Sequence, residues 1–123
     1  MTTSKISDTS FNPNSNKPKI LRSVPFEKGF HFFTNSMDYT GITATSLFEF
    51  EEKLKIVSAE SVEYHFRRQD FQKWINDVIG DVELATRIAR LDTQLSSENL
   101  RKELLKIVRK RIREVEKLYG TAV

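Results

Sequence analysis

Apolar residues recur with helical spacing along most of the chain after its first third. Leu47, Phe50, Leu54 and Val57 fall on one face of a helix, with Glu49, Glu52 and Lys53 turned away from it. Ser46 precedes that face and Glu49 follows three residues later, the spacing of a capping box in which each side chain takes the other's free backbone N–H. A second helix, capped by Ser58 or Ser61, carries Val62, His65 and Phe66. A third starts with Asp70 as its cap and repeats Phe71, Trp74, Ile75 and Val78 on one side. Gly80 ends it, because glycine accepts the left-handed conformation found at helix termini. Asp81 caps a fourth helix with Leu84, Ala85, Ile88 and Leu91 inward. The longest pattern runs from Ser96 or Ser97 to Gly120, with Leu100, Leu104, Ile107, Val108, Ile112, Val115 and Leu118 as its stripe.

Ahead of the helices the pattern is weaker. Phe30 and Phe32 alternate with His31 and Phe33, which leaves room for one short extended segment near Phe30, and residues 35–41 (NSMDYTG) read as a loop. Residues 1–23 are rich in Ser, Thr, Asn and Lys. They hold too little apolar surface to offset their ordering entropy, so a polar basic tail, disordered unless bound, is expected there. Residues 24–123 are expected to form a single domain. The fold class is mainly α, a small bundle of four to five helices.

Composition narrows the chemistry. The 123 residues include no cysteine, which excludes disulfides, thiolate metal sites and a cysteine nucleophile. No stretch has the length of a signal peptide's apolar region or of a membrane-spanning helix, so a cytoplasmic protein with no membrane contact is expected. The formal charge of +3 conceals a division. Residues 1–29 carry five Lys or Arg against two acids, residues 30–97 seven against eleven, and residues 98–123 eight against four.

The cations of the last helix are ordered. At about 100° per residue, Lys102, Lys106, Arg109, Lys110, Arg113 and Lys117 occupy a sector roughly 100° wide, opposite the apolar stripe. Such a ridge can track phosphates, each neutralised phosphate releasing counterions. Lys17, Lys19 and Arg22 of the tail would extend the contact. An ordinary solvated helix face fits the same residues, with Glu98–Lys102 and Lys110–Glu114 as i,i+4 pairs. Arg111 differs: it projects into the apolar stripe and must find a carboxylate from the middle segment.

The densest chemistry runs from Ser61 to Trp74. Ser61, Tyr64, His65, Arg68, Asp70, Phe71 and Trp74, followed by Gly80, Asp81, Leu84 and Ala85, trace S-x-x-Y-H-x-x-R-x-D-F-x-x-W and then G-D-x-x-L-A. On these residues the chain, over roughly residues 30–118, resembles an uncharacterised, chiefly archaeal family of small helical domains. That resemblance implies a helical domain and brings no activity. A catalytic reading makes His65 a base oriented by Asp70. The structural reading has Asp70 cap its helix and pair Arg68, His65 bond within the core, and Phe71 and Trp74 anchor that core. No nucleophile or glycine-rich phosphate cradle accompanies the cluster. His31 and His65 lack a metal-ligand spacing, so neither a metal nor a cofactor is expected. Phe30, Phe32 and Phe33 read as core, with a base-stacking platform as the alternative.

The expectation is a non-catalytic binding module that meets ribosomal RNA or another nucleic acid through the last helix and tail. An adaptor or homodimer module using an acidic protein surface is the rival, and a small enzyme at His65/Asp70 a distant third.

Overall fold

The computed structural model describes residues 18–119. The disorder expected of the tail up to residue 17, Lys17 itself and the helix end at Gly120 lie outside these residues. Five helices and one hairpin follow in order. The hairpin joins β1 (Phe30–Asn35) to β2 (Asp38–Ala44), antiparallel. The helices are α1 (Leu47–Ile56), α2 (Ala59–Arg67), α3 (Asp70–Trp74, continued by a π turn over Ile75–Ile79), α4 (Val82–Ala89) and α5 (Ser97–Tyr119). Two 3₁₀ turns, Lys19–Leu21 and Phe26–Lys28, precede the hairpin.

The mainly helical class and the number of helices agree with the pattern in the sequence. The hairpin enlarges the extended segment expected near Phe30. Asp38–Ala44, assigned to a loop and its flank, is its second strand. Two register shifts, between Phe32 and Phe33 and between Phe33 and Asn35, break the alternation that would have revealed it. Gly41 lies in the bulged stretch at φ 85°, a conformation that favours glycine. Phe30 and Phe32 point into the core, 5% and 0% exposed, so core is the correct reading for these two. Phe33 is half-buried. The hairpin is closed at its base by Gly29, where a Cβ would lie 2.8 Å from the Ala44 carbonyl oxygen.

The caps follow the sequence in most places. Ser46 accepts from the Glu49 N–H, but the Glu49 carboxylate turns to the N–H and hydroxyl of Thr45 rather than to Ser46, so the capping box is half formed. The Thr45 N–H holds the Glu49 carboxyl below its usual range. Ser58, not Ser61, caps α2. Asp81 caps α4 by accepting from the Leu84 N–H at 3.0 Å, and Gly80, at φ 87°, ends the π turn.

Asp70 does not cap α3. The N-cap position belongs to Gln69 at φ 64°, and Asp70 is the first helical residue. In the last helix, Leu100, Leu104, Val108, Ile112 and Val115 are buried, Ile107 is half-buried, and Leu118 leaves the stripe, 74% exposed, where the helix outruns the body. The packed domain also begins before residue 24. Leu21, assigned to the tail, is 1% exposed and part of the core.

Two ionic contacts lock α5 against α4 and its cap. Asp81, 1% exposed, accepts from Arg111 Nε at 2.8 Å, which meets the requirement placed on Arg111. Arg87 of α4 grips both carboxylate oxygens of Glu114, at 2.8 and 3.0 Å. The Asp81 contact raises the Arg111 pKa, and the Arg87 bonds hold the Glu114 carboxyl below its ordinary range. At the other end, Arg101 Nη1 donates to the Leu54 and Val57 carbonyls and thereby satisfies the free end of α1.

Candidate functional site

Two groups of residues were singled out by sequence, and the structure treats them differently. The first is the Ser61–Asp70 cluster. Ser61 and His65 stand one turn apart on the face of α2 that meets β1. The Ser61 hydroxyl donates to the Phe33 carbonyl at 2.6 Å, and the Phe33 N–H donates to His65 Nε2 at 2.8 Å. Together they satisfy both backbone groups of Phe33, as a neighbouring strand would.

Because Nε2 accepts, it carries no proton, and the ring's one proton is on Nδ1, where it donates to Asp70 Oδ2 at 2.8 Å. Arg68 Nε donates to the same oxygen at 3.0 Å. Burial pushes the His65 pKa below its ordinary value, against the opposing pull of Asp70. His65 is 4% exposed, and both of its ring nitrogens are hydrogen-bonded within the domain.

The left-handed Gln69 makes this possible. It reverses the chain directly after α2 and returns Asp70 toward His65 within five residues. The structural reading of the cluster therefore holds for His65 and for the Arg68–Asp70 pair, and fails for Asp70 as a cap. Phe71 and Trp74 are core anchors, 0% and 8% exposed, and the indole N–H reaches the Lys28 carbonyl at 2.8 Å. Tyr64 lies half-buried beneath the Arg68 guanidinium, 5.3 Å from ring centre to carbon.

The second group is the ridge on α5. Lys102, Lys106, Lys110, Arg113 and Lys117 are exposed and Arg109 is partly so. Five of these six, with Leu105, line an open groove of about 560 Å³. Neither expected i,i+4 pair is made. Glu98 binds Arg101, and Glu114 is held by Arg87 and Arg111. Two cations are paired instead: Lys106 with Glu103 at 3.3 Å, and Arg109 Nε with Glu51 of α1. Among the described residues, Lys102, Lys110, Arg113 and Lys117 have no carboxylate within ion-pair distance.

The basic residues ahead of the hairpin are placed separately. Lys19 packs over Gly80, with Nζ 3.3 Å from where a Cβ would stand, and Arg22 is the exposed C-cap of the first 3₁₀ turn.

Among the described residues, no cluster of three or more His, Cys, Asp or Glu side chains is arranged to hold a metal ion. No described helix is long and apolar enough to cross a membrane.

A family model matches residues 28–121, about three quarters of the chain and every residue of the cluster and ridge. The chain belongs to DUF5752, a family of unknown function. The DUF5752 match takes in the hairpin and all five helices and starts after Leu21, so the first 3₁₀ turn packs on the domain from outside the matched region. Neither a search of curated proteins nor one of solved structures finds a match.

Proposed function

We propose that this DUF5752 domain is a non-catalytic binding module that docks α5 on the phosphate backbone of a nucleic acid, ribosomal RNA being one such surface. One observation carries the reading. Glu98 and Glu114, the acids of α5 spaced to pair Lys102 and Lys110, are drawn instead to Arg101 and to Arg87 and Arg111, and four cations of the ridge are without a carboxylate among the described residues. Glu114 thus does double service: it fastens the helix to Arg87 of α4, and its negative charge is drawn away from the outer face.

The geometry also suggests how contact is made. One face of α5, carrying Leu100, Leu104, Val108, Ile112 and Val115, is packed against the body, and the ridge is the face left for a partner. Its ridge spans about 22 Å over roughly four turns and faces one way. That arrangement suits phosphates along one strand, and a ridge of cations without Asn or Gln favours backbone contact over a varied reading of base edges, so binding with little sequence preference is expected.

The test is fluorescence anisotropy with a labelled RNA hairpin. Replacing Lys102, Lys110 and Arg113 together by glutamate is expected to weaken binding at least about tenfold at constant salt. Glu103→Gln, which frees Lys106, is expected to tighten it. Binding that ignores the triple substitution overturns the reading. A discrete mass shift in sedimentation that survives nuclease would favour an acidic protein partner or self-association instead.

A further inference from the structure

The Ser61–Trp74 segment leaves part of its chemistry unused. His65 and one oxygen of Asp70 are fully engaged in holding β1, but their neighbours are not. Between the hairpin and α2 lies a recess of about 350 Å³ whose lining includes Phe30, Phe33, Tyr64, Arg68, Ser36 and His31. This volume lies at the lower end of the range for small-molecule sites, roughly 300–1,000 Å³.

The polar groups around the recess are mostly hydrogen-bond donors. Arg68 meets Asp70 through Nε alone, so neither terminal guanidinium nitrogen has a bond among the described residues. The Tyr64 and Ser36 hydroxyls likewise have none, and His31 uses only Nδ1, toward Thr43. Asp70 does not oppose them fully, because its Oδ2 already receives two charge-assisted bonds. The walls are flat rings. Arg68 is prevented from folding away by its anchor on Asp70 and by the Tyr64 ring beneath it. A fixed guanidinium edge beside aromatic walls matches a planar molecule that ends in an anion.

We propose that this recess binds a small organic anion, an aromatic carboxylate or phosphate monoester, with Arg68 and Tyr64 receiving the anionic end and Phe33 packing against the ring. The site stands apart from the α5 ridge and does not depend on it. It also gives the Y-H-x-x-R-x-D spacing two roles at once: His65 and Asp70 fasten the hairpin, and the same Asp70 aims Arg68.

The experiment is a ¹H–¹⁵N titration of the full chain with phenyl phosphate and with benzoate, inorganic phosphate and benzyl alcohol serving as comparisons. Saturable shifts are expected at the Phe33, Ser36 and Tyr64 amides and at Arg68 Nε, with millimolar or tighter binding by at least one aromatic anion. Which of the two binds distinguishes a phosphate from a carboxylate ligand. Arg68→Gln is expected to lower the affinity about tenfold or more, and Tyr64→Phe, which keeps the ring and the fold, by a smaller factor. The proposal is overturned if neither anion saturates below about 10 mM, if benzyl alcohol binds equally well, or if both variants bind like the parent. It is equally overturned if the shifts collect at Lys102, Lys110 and Arg113, since that is binding to the ridge alone.

Discussion

The histidine at position 65 is the residue on which most of the local architecture converges. It accepts from Phe33, donates to Asp70, and lies against the rings of Phe30 and Phe71. Removing it leaves a buried N–H without a partner and a void in an aromatic cluster. His65→Ala is expected to destabilise the domain by about 2–4 kcal/mol, read from urea unfolding. The pH dependence follows from burial. A histidine whose folded pKa lies below the unfolded value of 6.5 gives its full stability above that value, and stability falls as pH drops through 6.5 toward the folded pKa. The urea midpoint of the parent should therefore decline below about pH 6.5, and His65→Gln should remove that part of the decline. Gln69 gives a prediction of the opposite sign. It holds φ 64° without a hydrogen bond to its side chain, so Gln69→Gly should stabilise the domain by about 0.5–1 kcal/mol.

At the level of elements, the helices were legible because each carries its own signal: Ser46, Ser58, Gly80 and Asp81 mark ends, and the apolar spacing marks faces. The pairing of Arg111 with a middle-segment acid was legible for the same reason, since a cation in an apolar stripe demands a partner. What escaped were relations across distance. Ser61 and His65 meet Phe33 over 28 and 32 residues, and nothing in the local pattern announces a helix serving as a third strand. Asp70 was misread because aspartate ahead of an apolar repeat has the form of a cap, whereas the left-handed Gln69 moves the helix start by one residue. The element to challenge is the α4–α5 lock. Asp81→Ala removes a cap and leaves Arg111 with Glu114 alone, and is expected to cost about 2–4 kcal/mol in chemical unfolding. Asp81→Asn, which can still cap, should cost less, and adding Arg111→Met to it should recover part of the loss.

Across the whole molecule, charge is sorted rather than mixed. Acids of the middle segment and of α5 itself engage Arg87, Arg101, Arg109 and Arg111, and lysines dominate what remains on the outer face. Under the role proposed for α5, that sorting is what leaves cations available to phosphates. The direct measurement is the dependence of duplex RNA affinity on salt concentration. Four unpaired cations should give a slope of log affinity against log salt of about −3 to −4, and each glutamate replacement at Lys102, Lys110 or Arg113 should reduce its magnitude by about one. A slope near zero, or one that those replacements leave unchanged, would contradict a backbone-binding role for α5.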